Sequence, residues 1–135
     1  MVGALEETGA IGHVADAVKD LTGGDRTAEL IGVLWIGGIG SAIVDNIPFT
    51  TAMIPVVGEL NTSGDAAYWW ALALGACLGG NATIIAAAAN VAAAGLTERA
   101  GHPIGFLPFL RIGVPVVVTS LLIATAYVLL RYVVV

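Results

Sequence analysis

Between residues 30 and 58 the chain carries one ionisable side chain, Asp45, in the run Asp45-Asn46-Ile47-Pro48-Phe49-Thr50, and the flanking stretches are apolar enough for a bilayer. A carboxylate at the centre of a membrane-spanning helix costs roughly 2.5 to 3.5 kcal/mol on insertion scales, so such a residue faces a protein interior or a water-filled cavity and marks function. Pro48 adds a second constraint. It has no backbone N–H and disfavours the right-handed helical region at Ile47, so one helix ends near Asp45 and another begins with Pro48 in its first turn. The fold therefore has to place a carboxylate beside a helix break.

Composition fixes the class. Charged residues make up 11% of the chain and hydrophobic residues 58%, with a mean hydropathy of +0.93, against roughly 25% charged in a soluble domain. This is the composition of an integral membrane protein. The net charge of −5 comes from acids confined to short polar stretches: Glu6, Glu7, Asp16, Asp20, Asp25 and Glu29, then Glu59, Asp65 and Glu98. No basic stripe is offered to nucleic acid. Cys77 is the single cysteine; it can form no intramolecular disulfide and reads as a small helix-packing residue. His13 and His102 fall in surface stretches and, without a Cys/His cluster, read as solvated rather than metal-binding. The start, Met1 to Glu7, lacks the basic region and apolar core of a cleavable signal peptide.

The chain reads as a single all-helical membrane unit, residues 1–135, in four parts. Residues 1–24 hold an interfacial amphipathic helix, with Ile11, Val14, Val18 and Leu21 on one face and Asp16, Lys19 and Asp20 opposite. Gly23 and Gly24 stop it, and Asp25 or Thr27 caps the next helix. Residues 28–58 form a re-entrant hairpin. Its second arm, eleven or twelve residues ending at the aqueous loop 59–65, is too short to span about 30 Å of hydrocarbon, and a non-helical tip at membrane depth must be buried in protein or line a cavity. The alternative is one spanning helix kinked at Pro48, which puts Glu59 on the far side.

Residues 66–96 carry no charge until Glu98 and read as a broken helix. Tyr68, Trp69 and Trp70 stand at its start as an interfacial aromatic belt, and Gly79-Gly80-Asn81-Ala82-Thr83 interrupts it at mid-depth. Unwound carbonyls at such a break bind cations, and the following half-helix N-terminus faces anions; Asn81, Thr83 and Asn90 add side-chain dipoles. The competing reading is that Gly75, Gly79, Gly80 and the alanines of 86–89 serve close helix packing. A short amphiphilic stretch through Phe109 and Arg111 leads to a final transmembrane helix, residues 113–134. Basic residues divide three against two between the two faces, which leaves membrane orientation open.

The segments 41–55, with Asp45-Asn46-Ile47-Pro48-Phe49-Thr50, 71–83, ending in Gly79-Gly80-Asn81-Ala82-Thr83, and 89–95 together resemble the C-terminal part of the ion transporter superfamily, in its branch of arsenite permeases, NhaD-type sodium/proton antiporters and P protein, labelled citrate-transporter-like. The resemblance covers nearly the whole chain. It implies two inverted repeats, each with an interfacial helix, a re-entrant hairpin and a broken helix, working as a homodimer with elevator-like movement in the cell membrane. It places Asp45, Asn46 and Thr50 in the hairpin-tip half of an ion and substrate site and Gly80, Asn81 and Thr83 in the other half. Dicarboxylate symporters of the superfamily carry Ser-Asn-Thr at the hairpin tip. Here Asp45-Asn46-Ile47-Pro48 favours a cation or proton at Asp45 as a transported species, and the relatives' Gly-Thr and serine are replaced by Ala82-Thr83 and Ala88.

The expected function is secondary transport coupled to a cation or proton, with the chain as the C-terminal repeat of a longer protein whose partners are membrane lipid and an N-terminal repeat. The reading from a different class is a non-transporting helical subunit or scaffold. No cofactor is implied. An enzyme is disfavoured because no nucleophile/base pair is evident and Gly37-Gly38-Ile39-Gly40 matches no phosphate or dinucleotide loop.

Overall fold

The computed structural model describes residues 16–20 and 22–134. Their regular structure is all helical, with turns and bends between the helices and no strand among the described residues. Most of the expected interfacial helix lies outside the described residues; within it, residues 16–20 are helical, with Val18 buried and Asp16 and Asp20 exposed. Gly23 and Gly24 follow with φ of 63° and 74°, left-handed conformations that glycine adopts without a Cβ penalty. The Gly24 N–H reaches back to the Lys19 carbonyl at 3.3 Å, closing the helix end.

Helix α1 (Arg26–Ile43) and helix α2 (Asn46–Leu60) are separated by Val44 and Asp45, both outside helical conformation. Pro48 sits in the first turn of α2, where a missing N–H costs no helical bond. Helix α2 runs back along α1: Arg26 at the start of α1 pairs with Asp65 just beyond α2, and Phe49 at the start of α2 lies against Gly40 near the end of α1. The chain thus turns at Asp45 and returns, which excludes one continuous helix kinked at Pro48.

Helix α3 (Ala66–Gly79) runs parallel to α1 along a seam of small residues. A Cβ on Gly75 would lie 2.3 Å from the Leu34 carbonyl oxygen, and one on Gly79 would lie 2.1 Å from that of Gly38. Only glycine permits this backbone approach, the packing that membrane helices use where water supplies no hydrophobic drive. Residues 80–87 are turns and bends, after which helix α4 (Ala88–Arg99) resumes with no buried residue. The break expected at Gly79 to Thr83 is present, and it extends to Ala87.

Helix α5 (Phe106–Leu129) continues as a π-helical turn through Val134. Together they form the one stretch among the described residues that is long and apolar enough to cross a membrane, 29 residues. The helix starts seven residues earlier than residue 113, because Pro108 occupies its first turn and absorbs the missing N–H there. Antiparallel to α1, it sets Leu121 against Gly38, offers the Thr125 hydroxyl oxygen as acceptor to the Trp35 indole N–H at 3.1 Å, and brings the Tyr132 carbonyl to Arg26 at 2.7 Å. The core between α1, α2, α3 and α5 is filled by Leu30, Leu34, Val33, Val57, Leu121 and Val128, all nearly inaccessible.

Tyr68 corrects the aromatic belt. Its side chain is buried and its hydroxyl donates to Glu29, itself 7% exposed, while Trp69 and Trp70 remain exposed. A tyrosine one turn into the helix faces the α1 seam, where a buried carboxylate has to be hydrogen-bonded.

Candidate functional site

Both helix breaks arrive at one place. At the tip of the α1–α2 hairpin, Asp45 is the N-cap of α2, and its carboxylate accepts from the Ile47 N–H at 3.1 Å. A carboxylate there also meets the positive end of the helix dipole. The next residue crosses to the other break: the Asn46 N–H donates to the Ala86 carbonyl at 3.2 Å. The Thr83 hydroxyl donates to the Ala42 carbonyl at 3.0 Å, one turn before the tip, and the Ser41 hydroxyl donates to the Ala76 carbonyl at 2.6 Å. Side-chain and main-chain hydrogen bonds therefore stitch the hairpin tip to the unwound segment.

Gly80 is buried beside Asn46, so that a Cβ added to it would stand 3.6 Å from the Asn46 amide nitrogen and 3.4 Å from the Ala86 carbonyl oxygen. Thr50 lies one turn into α2 with its hydroxyl on the Asn46 carbonyl at 2.6 Å. Asn90, in the first turn of α4, donates through its side-chain nitrogen to both the Gly80 and the Thr83 carbonyls, each at 2.9 Å. A groove of about 300 Å³ opens beside the tip, lined by Asn46, Ile47, Thr50, Thr51 and Cys77.

Of the six residues singled out in the sequence, Asp45, Asn46 and Thr50 share the tip, and Gly80 and Thr83 lie against it. Asn81 does not join them. It is exposed and lines a separate cavity of about 530 Å³ with Ile104, Pro108, Phe109, Ile112 and Gly113. The backbone turn at the break sends successive residues to opposite sides, and Gly113 of α5 fits under the Asn81 and Ala82 carbonyls with no room for a Cβ.

Cys77 is exposed on the groove instead of packed between helices. Its spacing of three from Gly80 puts it on the same helical face and is the sequence signal for its position. The Glu29–Tyr68 pair is a second polar contact that the sequence reading did not join. Its signal is also a spacing: Glu29, Val33, Gly37 and Ser41 recur every four residues down the buried face of α1. Among the described residues no group of three or more His, Cys, Asp or Glu side chains is placed to hold a metal ion. What the arrangement offers is one carboxylate at a helix start, with amide and hydroxyl groups and an open groove beside it.

Comparison with known proteins places the chain among transporters of one family. The family model described as citrate transporter matches residues 1–75. A protein named as an uncharacterized transporter, from Mycobacterium tuberculosis, is 45% identical over 138 residues that include 98% of this chain and 32% of that protein. The 46 kDa membrane protein of Mycobacterium leprae is 42% identical over 139 residues, 99% of this chain and 32% of its own length. Human P protein is 44% identical over 113 residues, 80% of this chain and 14% of that protein. The chain thus spans about a third of the length of the mycobacterial relatives. No solved structure matches. The P protein branch anticipated from the Asp45-Asn46-Ile47-Pro48 and Gly79-Gly80-Asn81 segments is among these relatives, and the chain belongs to the citrate transporter family.

Proposed function

We propose that the chain is one repeat of a secondary active transporter, in which the α1–α2 hairpin enters and leaves the membrane on one side and Asp45 exchanges a proton or cation as substrate binds and leaves. The observation that carries this reading is the convergence of two helix interruptions, with the Asn46 N–H on the Ala86 carbonyl at 3.2 Å and Asp45 capping the helix that starts there. Breaks of this kind at membrane depth are sustained where they line a binding site. The relatives' extra length supports a second repeat that completes the site. A homodimer embedded in the cell membrane as a multi-pass protein follows from the same resemblance.

A charged tip without the Ser-Asn-Thr sequence makes a cation, as in arsenite-permease-like or sodium/proton-antiporter-like exchange, a better cargo or coupling species than a dicarboxylate. Replacing Asp45 by Asn keeps the size of the cap and its acceptor for the Ile47 N–H but removes the charge. In proteoliposomes carrying the complete transporter, Asp45→Asn is expected to insert normally and to lose uptake driven by a pH or sodium gradient. Gradient-driven uptake unchanged from wild type would sink the reading.

A further inference from the structure

The unwound segment between α3 and α4 exposes carbonyls that an intact helix would have satisfied, and inside a membrane each must find a donor or a cation. Here the protein supplies the donors itself. The side-chain nitrogen of Asn90 lies 2.9 Å from the Gly80 carbonyl oxygen and 2.9 Å from that of Thr83, so its two amide protons are both committed, one to each acceptor. The Thr83 hydroxyl is turned away to the Ala42 carbonyl at 3.0 Å, and the Ala86 carbonyl takes the Asn46 N–H at 3.2 Å. Three carbonyl oxygens of the break, those of Gly80, Thr83 and Ala86, thus each accept from a neutral donor.

Electrostatics point the same way. Asn90 sits in the first turn of α4, whose N-cap Ala87 offers no side-chain acceptor. The positive end of that helix dipole lies beside the Gly80 and Thr83 carbonyls that Asn90 holds, and no carboxylate stands at this helix start to offset it, whereas Asp45 stands at the start of α2.

We infer that Asn90 is a built-in neutral substitute for a cation in the α3–α4 half of the site, so that a coupling cation is confined to the hairpin half at Asp45. Asn90 is then a positioning residue. It fixes Gly80 and Thr83 against the hairpin tip without itself carrying charge across the membrane. This deepens the transport reading and rests on it for the role given to Asp45.

The inference is testable without measuring flux. The full-length protein, purified in detergent, is melted in sodium chloride and in choline chloride at equal ionic strength. Four forms are compared: wild type, Asp45→Asn, Asp45→Asn with Asn90→Ala, and Asp45→Asn with Asn90→Asp. With Asn90 intact, Asp45→Asn is expected to melt at one temperature in both salts. Removing the clamp with Asn90→Ala should lower melting by several degrees in both. Asn90→Asp replaces two donors by acceptors facing two carbonyls and should melt low in choline but regain several degrees in sodium, because the new oxygen set then needs the ion. Sodium stabilisation of the Asp45→Asn protein that disappears with Asn90→Ala would overturn the inference, as would an Asn90→Ala form that melts like its parent. Should Asn90→Asp fail to fold, the comparison of Asp45→Asn with and without Asn90→Ala still decides. The Asp45 flux experiment can fail while this one succeeds, so the two readings are separable.

Discussion

At the scale of single residues, buried polarity is met by hydrogen bonds both distant and local: Glu29 and Ser41 pair with partners 39 and 35 residues away, and Asn61 with Asp65 four residues on. Among the described residues, no buried side-chain nitrogen or oxygen lacks a hydrogen bond. Glu29 and Tyr68 are the most consequential pair: a carboxylate 7% exposed and a phenol 4% exposed, joined across the α1–α3 seam. Removing one member of a buried pair leaves the other desolvated and unpaired, which costs about 1 to 3 kcal/mol or more when the remaining group is charged. Tyr68→Phe is therefore expected to lower the unfolding free energy by about that amount, measured by thermal or denaturant unfolding in detergent. Adding Glu29→Leu to Tyr68→Phe should recover most of the loss, since two apolar groups leave nothing unsatisfied. A double variant as unstable as Tyr68→Phe alone would show that the seam depends on shape at these positions rather than on the hydrogen bond.

Elements follow from local chemistry where proline or glycine acts within a turn or two, and from distant contacts where it does not. The interruption at Asp45 was legible because Pro48 restricts its neighbour directly, and the one after Gly79 because two glycines and a polar run stand inside an otherwise apolar helix. The last helix begins at Phe106 and not at residue 113, with Pro108 in its first turn, a place where proline is tolerated although it breaks a helix interior. The partnership of Tyr68 with Glu29 spans 39 residues and leaves no local trace beyond the four-residue spacing on α1. Asn81 was grouped with Thr83 on proximity, yet irregular backbone has no fixed period, so neighbours there need not share a face. Small residues in α1 and α3 fall into two kinds that substitution should separate. A methyl group on Gly79 has backbone 2.1 Å away and no flexible side chain to displace, so Gly79→Ala should force α1 and α3 apart and cost about 1 to 3 kcal/mol. Gly58, inside α2 with open space around its would-be Cβ, should behave oppositely: Gly58→Ala is expected to stabilise by about 0.5 to 1 kcal/mol through the smaller entropy of the unfolded chain. Equal effects at the two sites, read by the same unfolding titration, would show that helix propensity and not the close approach governs the seam.

Across the whole molecule, the ends of the hairpin and of the last helix are gathered at a single arginine. Arg26 reaches Asp65 through Nε at 2.9 Å and through a second, shorter contact from Nη2, and its Nη1 holds the Tyr132 carbonyl at 2.7 Å. One side chain at the start of α1 thus ties the α2–α3 connection to the end of the chain's longest helix, opposite the tip where Asp45 sits. Asp65 is held below the usual carboxylate range, first by the Ala67 N–H it accepts as N-cap of α3 and then by the Arg26 hydrogen bond. The sign follows from the depressed value. The ionised pair contributes its stability at any pH above the ordinary aspartate range near 4, and loses it only as pH falls through the lower folded value. Arg26 and Asp65 are partly exposed, with side-chain accessibilities of 45% and 24%, so the contribution is small, about 0.2 to 1 kcal/mol, and screened by salt. Asp65→Asn keeps an acceptor for the Ala67 N–H and removes only the charge. The difference in melting temperature between wild type and Asp65→Asn should stay constant from neutral pH down to about 4, shrink below that, and narrow at every pH as salt is raised. A difference that instead grew on acidification, or ignored salt, would mean that Arg26 holds the ends together through the Tyr132 carbonyl and the helix cap, with the ion pair incidental to the tether.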